Sequence, residues 1–588
     1  MSGRTERELH TASFRWRAYL LFGVLAFCAI GLVWRAVELQ LIDKGFLQKR
    51  GTQNFSRVME IAAHRGTITD RYGEPLAVST PVDSIYANPK ELALASDQFP
   101  SLAKALKMSN DELTRRITSN LSREFLYLAR HQQPADAQKI KALGIPGVYL
   151  MREYRRYYPA GEVTGHVLGF TNVDDAGQEG LELAFDHWLA GEDGAKRIIQ
   201  DRYGRVVQDV ESIRAVRPGR DLELSIDLRI QYLAYRGLKA AIRENRARGG
   251  SVVVMDVTTG EVLAMVNQPA FNPNDRSQLT PATYRNRAVT DIFEPGSSMK
   301  PFVVAAGLAS GKYREDSFID TSPGFIKVGS AKPVEDDHGS LGRINLATIL
   351  AKSSNVGMTM LALSLEPEQM WNTLSRMGFG QVTTSGYPGE SAGLLTHYSH
   401  WRAVAISRMS YGYNLSVTPL QLAHAYSTLG ARGVSRPVSF LRVDRAPPGT
   451  QALDSNVSTS LIHLLESVIS ADGTAPLAAI PGYRVSGKTG TAEKATAGGY
   501  STEKYMAVFG GVAPATNPRL AAVVVIDEPM AGQHQGGQVS APVFSEIVGG
   551  ALRLMAVPPD QIVRDMDGIA KPLKPQVQAR VKTPTVER

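Results

Sequence analysis

The chain has almost no cysteine: its 588 residues include a single one, Cys28. A disulfide within the chain is therefore excluded, and so are the small disulfide-stapled folds of many secreted proteins. Cys28 lies in an apolar stretch near the N-terminus, and the bulky Phe27 before it argues against a lipoprotein cleavage site. This cysteine usage is compatible with an oxidising compartment without proving one.

Several motifs of cofactor-dependent chemistry are also missing. The sequence has no His-Glu-x-x-His, no P-loop and no Gly-x-Gly-x-x-Gly. His397 and His400 have no acidic or cysteine ligand near them in the sequence, so we interpret them as surface residues. The net charge of +8 is dispersed and not interleaved with aromatic residues, which is typical of a solvated surface with some attraction to an anionic polymer. We therefore expect no metal, no organic cofactor and no nucleic-acid partner.

One long apolar run is present. Uncharged apolar residues extend from Ala18 to Trp34, and an amphipathic pattern continues to Ile42. This run is at the short end of what spans about 30 Å of hydrocarbon, and we predict a transmembrane anchor at residues 18–41. Arg15 and Arg17 precede it, so the positive-inside rule predicts a cytoplasmic N-terminus with the bulk of the chain on the other side. The alternatives are a cleaved signal peptide, although no small-x-small site follows the run, and a buried core helix.

Three short motifs occur in a fixed order: Ser297-x-x-Lys300, Ser353-x-Asn355 and Lys488-Thr489-Gly490-Thr491. Ser-x-x-Lys alone is a weak signal, because residues 101–104 and 501–504 also fit it. Each of the other two motifs occurs once. The ordered set matches a known signature of serine acyl-transfer enzymes, so it predicts a nucleophile, a base, a proton relay and a carboxylate anchor.

The surroundings of Ser297 favour it as the nucleophile. It follows the turn sequence Phe293–Gly296 and opens an apolar segment that reaches Ala306, which predicts a buried helix with Ser297 at its N-terminus. The helix dipole there favours a developing oxyanion, and Lys300 lies three residues on, on the same face. The alternative is that Ser297 only caps the helix.

The chemistry of such a site depends on a neutral lysine. A serine hydroxyl needs an adjacent base, and lysine serves only if its pKa falls by about 3 units from near 10.4. Burial would lower the pKa of Lys300, and Lys488 is a candidate second cation that would lower it further. Ser353 is a candidate proton relay between the leaving amine and the lysines. Asn355 is a candidate to hold both Lys300 and the substrate amide.

The third motif has the pattern of a strand. Gly487 and Gly490 remove side chains where another backbone must approach closely. We predict that a substrate peptide adds along this segment as a strand, with its C-terminal carboxylate facing the lysine and the threonine hydroxyls. The predicted substrate-binding residues are Thr489, Gly490 and Thr491. An ordinary strand with a wet face is the alternative.

The motifs resemble those of class B penicillin-binding proteins and, within that family, the division-specific D,D-transpeptidases. The resemblance extends from about residue 14 to about residue 557 and includes further segments: Arg65–Ala77, Arg155–Pro159, Gly165–Phe170, Asn286–Ala288, Phe293–Gly296, Gly389–Glu390 and Gly537–Phe544. It implies that Ser297 is acylated with Lys300 as its base. It also implies that the backbone N–H groups of Ser297 and Thr491 form the oxyanion hole.

Two positions depart from the family pattern. Ser298-Met299 stands where close relatives usually have Thr-Val, which we expect to alter packing only. Asn414 replaces a common glycine; if that position needs a positive φ, asparagine is the next-best residue.

The fold class expected from the pattern and the resemblance is α+β. It comprises a penicillin-binding/serine β-lactamase-like transpeptidase domain with an antiparallel sheet flanked by helices, an elongated N-terminal non-catalytic α+β module, and one transmembrane helix. The predicted divisions are a cytoplasmic tail at 1–17, the anchor at 18–41, a non-catalytic pedestal or dimerisation-type module at 42–215, the transpeptidase domain at 216–557 and a disordered tail at 558–588.

The individual elements follow from hydrophobic periodicity and turn residues. The predicted elements are a hairpin at Thr67–Glu74, helices at Glu182–Leu189 and Leu228–Ala247, and strands at Leu222–Ile226, Ser251–Asp256, Glu261–Met265, Met506–Val512 and Leu520–Ile526. We interpret Asp336-Asp337 as a solvated turn.

The resulting hypothesis is a periplasmic peptidoglycan D,D-transpeptidase held in the bacterial inner membrane. Ser297 would attack the D-Ala-D-Ala bond of a stem peptide, release D-Ala and pass the acyl group to a neighbouring amine, in septal wall synthesis; β-lactams would acylate Ser297 as substrate mimics. A D,D-carboxypeptidase or β-lactamase, a β-lactam sensor and a non-enzymatic scaffold are the alternatives. The resemblance also implies partners in cell division, including a membrane glycosyltransferase.

Overall fold

The computed structural model describes residues 6–42, 56–200, 206–277, 279–496 and 499–561. The chain forms two compact units, neither of which is continuous in sequence. The pedestal unit comprises residues 1–64, 81–154 and 191–218, and the catalytic unit comprises 65–80, 155–190 and 219–588. Two segments of the predicted 42–215 module therefore belong to the catalytic unit, which a single boundary near residue 216 does not capture.

The N-terminal region is helical from Glu6 to Val37 and ends in a π-helical turn at Glu38–Ile42. Among the described residues, one helix is long and apolar enough to cross a membrane, and its span is Trp16–Gln40. The apolar side chains along this span are exposed, as a lipid-facing helix requires. The helix starts within the predicted cytoplasmic tail, of which residues 1–5 lie outside the described part of the chain.

The pedestal unit has a core of its own, built from residues of short strands and helices. Ile85, Leu102, Leu113 and Leu128 are among its buried side chains. Its strands are Ser56–Ile61, Leu126–Gln132, Gly194–Gln200 and Val206–Arg214, and its longer helices are Phe99–Leu106, Asn110–Thr118 and Pro134–Lys141. Two further strands, Pro75–Ala87 and Val148–Tyr157, contribute residues to both units.

A buried ion cluster joins the segments 65–80 and 155–190 to each other within the catalytic unit. Glu182 accepts from Arg65 Nε at 2.8 Å and from Arg156 Nε at 2.6 Å, and all three side chains are buried. Asp186 accepts from Arg65 Nη1 at 2.7 Å. Buried charges persist only when they are paired, and these four residues pair one another.

Two predicted elements in these segments are present with small changes. The predicted hairpin consists of strand Ile68–Thr69 paired antiparallel with the start of Pro75–Ala87. The predicted helix at Glu182–Leu189 is two short helices, Gly180–Ala184 and Asp186–Leu189.

The catalytic sheet has five antiparallel strands, which we number in chain order. They are β1 (Gly249–Asp256), β2 (Val262–Gln268), β3 (Ser486–Thr496), β4 (Gly499–Ala513) and β5 (Leu520–Asp527). Their spatial order is β2-β1-β5-β4-β3, so β3, which carries the third motif, is an edge strand. The predicted antiparallel α+β fold is confirmed.

One predicted strand is shorter than expected. Of Leu222–Ile226, only Leu222–Glu223 is a strand. Ser225 instead donates its hydroxyl to Val262 O at 2.7 Å, and Asp227 caps the helix that follows, Leu228–Glu244. The regular strand therefore ends three residues earlier than predicted, whereas the helix begins at Leu228 as predicted.

Helices cover both faces of the sheet. Phe509 and Gly510 are neighbours on β4 and so face opposite sides. The Phe509 ring lies 4.8 Å from Phe544 of helix Ala541–Leu554, whereas a Cβ at Gly510 would collide with the ring of Tyr426 of helix Pro419–Gly430. On the Tyr426 side of the sheet, the ring of Phe302 lies 5.2 Å from the ring of Tyr426. Phe302 belongs to helix Lys300–Ala309, which we call the nucleophile helix. The remaining helices of this unit that bear on the site are Leu346–Ala351 and Asn355–Leu363.

The end of the described chain is held to the catalytic unit. Asp560 accepts from Arg484 N at 2.8 Å, and Gln561 N donates to Gly482 O at 3.1 Å. The predicted disordered tail lies outside the described residues from residue 562 onwards.

Candidate active site

Ser297 lies in a tight turn that leads into the nucleophile helix. Residues Gly296–Met299 form a 3-10 turn and the α-helix begins at Lys300, with Pro301 in its first turn. Proline is tolerated there because first-turn N–H groups have no partner within the helix. The predicted helix is therefore present, but Ser297 lies one turn before its α-helical part and does not serve as its cap.

The turn packs tightly against the third motif. A Cβ at Gly490 would lie 2.5 Å from Pro295 O and 3.2 Å from Ser298 N, so only glycine fits. A Cβ at Gly296, where φ is +54°, would lie 3.1 Å from Thr491 O. The prediction that Gly490 permits a close backbone approach is thus confirmed, and the approaching backbone is that of the serine turn.

Ser298, one of the two departures from the family pattern, contributes to this packing. Its hydroxyl donates to Pro295 O at 2.7 Å, and its carbonyl accepts from Tyr426 OH at 3.1 Å. The side chain therefore closes the turn locally.

Lys300 points into the second motif. Its Nζ donates to Ser353 O at 2.5 Å, to Ser353 Oγ at 3.0 Å and to Asn355 Oδ1 at 2.8 Å. Within the described residues the Ser297 hydroxyl has no hydrogen bond, so in this state Lys300 binds the second motif and not the serine. Catalytic hydrogen bonds often form only when substrate is bound, so this geometry is compatible with a base role.

Ser353 adopts an unusual backbone conformation. Its φ is +57°, in the left-handed region that non-glycine residues rarely occupy. That conformation directs both its carbonyl and its hydroxyl at Lys300. Strain of this kind persists when the surrounding structure imposes it, and it concentrates at functional sites.

Lys488 is buried on β3 and is held by neutral oxygen atoms. Its Nζ donates to Thr489 Oγ1 at 3.0 Å, and Thr489 Oγ1 in turn donates to Thr474 Oγ1 at 3.1 Å. Thr491 Oγ1 accepts from Gly536 N at 3.0 Å. Among the described residues β3 pairs only with β4, so no strand pairs with its other edge.

The electrostatics of the two lysines differ from those of surface lysines. Burial lowers the pKa of Lys300 to about 7, while Asp336 and Asp337 act in the opposite direction. Burial also lowers the pKa of Lys488 well below its usual value, and repulsion from Lys300 lowers it further. Burial is therefore the main cause for both lysines, and the two lysines lie close enough to repel each other.

Asp336 is a site residue that sequence reasoning missed. Its carboxylate is buried and accepts from Ser354 Oγ at 2.6 Å, Asn355 N at 2.6 Å and Val356 N at 3.0 Å. The interpretation as a solvated turn is wrong for Asp336, although Asp337 is exposed. No spacing rule finds this contact, because the carboxylate caps a helix from a distant part of the chain.

A carboxylate and two tyrosines were missed as well. Glu294 Oε1 accepts from Asn414 N at 2.9 Å and from Tyr500 OH at 3.0 Å. The ring of Tyr500 packs edge-on against Tyr413 at 5.3 Å. Asn414 has φ +62°, a conformation that glycine adopts freely and asparagine tolerates well, so the condition anticipated for this position is met.

Comparison with known proteins agrees with this geometry. Residues 250–549 match the penicillin binding protein transpeptidase domain, and residues 60–224 match the penicillin-binding protein dimerisation domain. This chain belongs to the penicillin-binding protein transpeptidase family. It is 44% identical to the peptidoglycan D,D-transpeptidase FtsI of Escherichia coli strain K12 over 95% of both chains.

Solved structures show the same relationship. The transpeptidase domain of penicillin-binding protein 3 from Burkholderia pseudomallei is 43% identical, with a TM-score of 0.53, over 57% of this chain and 98% of that one. A peptidoglycan synthetase from Bifidobacterium adolescentis is 26% identical, with a TM-score of 0.69, over 88% of this chain and 100% of that one. The expected resemblance to class B penicillin-binding proteins, and to the division-specific transpeptidases among them, is confirmed.

Proposed function

We propose that this penicillin-binding protein forms its acyl-enzyme on Ser297, with Lys300 as the base. Neutral Lys300 takes the proton from Ser297 Oγ as the oxygen attacks the carbonyl carbon of the penultimate D-Ala of a stem peptide. The C–N bond then breaks, and the leaving D-Ala nitrogen receives a proton relayed through Ser353. The observation that carries this proposal is the buried Nζ of Lys300, which is held by Ser353 Oγ and Asn355 Oδ1.

The remaining motif residues bind the substrate. The donor peptide adds along the unpaired edge of β3, and its terminal carboxylate lies against Lys488 and the hydroxyls of Thr489 and Thr491. Backbone N–H groups of Ser297 and Thr491 stabilise the oxyanion; the close packing of the serine turn on Gly490 supports this pairing.

The second half of the reaction is transfer to an amine. An amine of a neighbouring stem peptide attacks the ester carbonyl, the bond to Ser297 Oγ breaks, and the oxygen recovers its proton by way of Lys300. The product is a peptide cross-link in septal peptidoglycan. A β-lactam follows the first half only: its ring C–N bond opens and leaves the opened drug as an ester on Ser297.

The reaction is tested with the full-length chain in detergent. A donor peptide ending in D-Ala-D-Ala is incubated with an amine acceptor, and the expected products are D-Ala and a new amide. Release of D-Ala and free acid alone would instead identify a D,D-carboxypeptidase. A chain that never reacts with a fluorescent penicillin would be a scaffold, and one that reacts without turning over peptide would be a sensor.

The site of acylation has its own test. Peptide mass spectrometry of the penicillin-treated chain is expected to locate the adduct on Ser297. The variant Ser297→Ala should carry none; an adduct on another residue contradicts the assignment.

The topology follows from the apolar helix and the basic residues before it. The chain spans the inner membrane once at residues 18–41, with residues 1–17 cytoplasmic and the transpeptidase domain, at 216–557, in the periplasm. The 42–215 module acts as a spacer and docking platform, and its partners are a membrane glycosyltransferase and other division proteins. These assignments extend the resemblance to the FtsI relatives.

Single cysteines test the topology. In a Cys28→Ser background, Thr502→Cys should react with an impermeant maleimide in spheroplasts, because residue 502 is exposed and periplasmic. Ser2→Cys should react only after lysis. Labelling in the reverse pattern contradicts the orientation.

A further inference from the structure

A carboxylate outside the three motifs is built into the second one. Asp336 follows the short strand Val334–Glu335, which pairs with Phe325–Ile326. Its Oδ2 accepts from Ser354 Oγ at 2.6 Å, and its Oδ1 accepts from Asn355 N at 2.6 Å and from Val356 N at 3.0 Å. The two N–H groups belong to the first turn of helix Asn355–Leu363 and have no acceptor within that helix.

Asn355 links the Asp336 carboxylate to Lys300 directly. The backbone N–H of Asn355 donates to Asp336, while the side-chain Oδ1 of Asn355 accepts from Lys300 at 2.8 Å. Ser353, whose φ is +57°, precedes the same helix end and contributes two further acceptors to Lys300. Fixing the helix end therefore fixes all three acceptors of the lysine.

We propose that Asp336 is a positioning residue for acylation, whose carboxylate holds Ser353 and Asn355 in place around Lys300. This inference rests on the proposed roles of Ser297 and Lys300. Asp336 does not touch the substrate; it acts through the second motif.

The same carboxylate has an electrostatic effect. The charged groups that face Lys300 are Lys488 on β3 and Asp336 and Asp337 in the loop before the second motif. Asp336 is buried, so its negative charge is little screened, whereas Asp337 is exposed to water. Both favour the ammonium form and so raise the pKa of Lys300 against the lowering effect of burial.

Removing the Asp336 charge should therefore move Lys300 towards the neutral form. The pKa of Lys300 then falls further. The rise of the acylation rate with pH, which we call the acid limb, therefore moves to lower pH. At the same time the helix end loses a charged acceptor, so the rate on the high-pH plateau falls. A residue that only supported the fold would not shift the acid limb.

The experiment measures the second-order acylation rate of the full-length chain by a fluorescent penicillin from pH 5 to pH 9. Asp336→Asn keeps the shape and removes the charge; we expect its plateau to fall about tenfold and its acid limb to move to lower pH. Asp336→Ala leaves buried N–H groups without a partner and should lose about 100-fold. Asp337→Asn is the matched control and should stay within about twofold on the plateau.

The outcomes separate the proposals. If the native chain carries no adduct on Ser297, the proposed function fails before Asp336 is tested. If Asp336→Ala does not fold, Asp336→Asn decides. A folded Asp336→Asn with a plateau within about twofold of the native rate overturns the positioning role, and an acid limb that stays or moves to higher pH overturns the electrostatic one.

Discussion

The catalytic unit contains two groups of buried cationic side chains, and they differ in whether their hydrogen-bond partners are charged or neutral. Arg65 and Arg156 share the buried carboxylate of Glu182, with Asp186 as a further partner of Arg65. Lys300, by contrast, donates to neutral oxygen atoms of Ser353 and Asn355. Lys488 likewise donates to Thr489.

The difference in partners decides the charge of each group. Burial alone would lower the pKa of Arg65, but Glu182 and Asp186 more than offset it, so its pKa lies above the usual value. Burial lowers the pKa of Lys300 to about 7, because Asp336 and Asp337 offset only part of its effect. A buried cation with carboxylates in contact stays charged, whereas one with neutral partners loses its proton more readily and is then able to act as a base.

The largest effect is expected from giving the active site a permanent cation. Lys300→Arg places a guanidinium, which does not deprotonate in proteins, where the base should be neutral. The acylation rate by penicillin should fall by about 10²–10⁴-fold, the usual contribution of a general base. The measurement is the second-order rate of fluorescent penicillin capture by the full-length chain.

Lys352→Arg is the matched control for this substitution. Lys352 adjoins the second motif, but its Nζ donates to Asp472 O at 2.8 Å and does not face Lys300 as a partner. The acylation rate of the Lys352→Arg variant should stay within about threefold of the native rate. Near-native capture by Lys300→Arg would show that neutrality at position 300 is not needed.

The converse change removes the carboxylate that the two arginines share. Glu182→Gln leaves the buried guanidinium of Arg156 without its charged partner and Arg65 with Asp186 alone, which costs about 3–5 kcal/mol of stability. The expected result is an earlier urea unfolding transition of the full-length chain, followed by tryptophan fluorescence. Protein that remains folded should acylate at close to the native rate, because the cluster does not contact the motifs.

A surface pair provides the control. Glu223 forms a salt bridge with Arg442, and both side chains are more than 40% exposed, at 46% and 43%. Glu223→Gln should therefore cost less than about 1 kcal/mol. Equal unfolding shifts in the two variants would contradict the distinction drawn between buried and exposed pairing.

The smallest effect concerns the neutral partner of Lys488. Thr489→Val removes the hydroxyl that accepts from Lys488 at 3.0 Å, and the loss of one such bond should slow acylation by up to about tenfold. Thr489→Ser keeps the hydroxyl and should stay within about twofold. Comparing the acylation rates of the two variants separates the effect of the hydrogen bond from that of methyl packing. Equal rates would show that the Thr489 hydroxyl does not influence acylation through Lys488.

Much of the site was predictable because its parts are local in sequence. The spacing of Ser297 and Lys300 places them within one turn, and the glycine at 490 indicated a close backbone approach that the structure contains. The sheet strands were predictable because β1 and β5 are almost wholly buried apolar runs.

The parts that were not predictable depend on contacts between distant segments. The local sequence around Asp336 indicates a turn. That its buried carboxylate accepts from the start of helix Asn355–Leu363 is visible only in the folded chain. The pairing of segment 65–80 with segment 155–190 has the same cause, since Arg65 and Glu182 form an ion pair across a long stretch of chain. Hydrophobic periodicity carries no information about either pairing.

The central claim is that the pKa of Lys300 is lowered to about 7, so that a large fraction of the side chain is neutral at physiological pH, because it is buried without a contacting carboxylate. The most direct test is the pH dependence of penicillin capture by the native full-length chain. A lowered lysine pKa means that the base is protonated and inactive below it, so the rate should rise with pH and level off above about 7. A rate that keeps rising towards pH 10, as for an ordinary lysine near 10.4, would contradict the account.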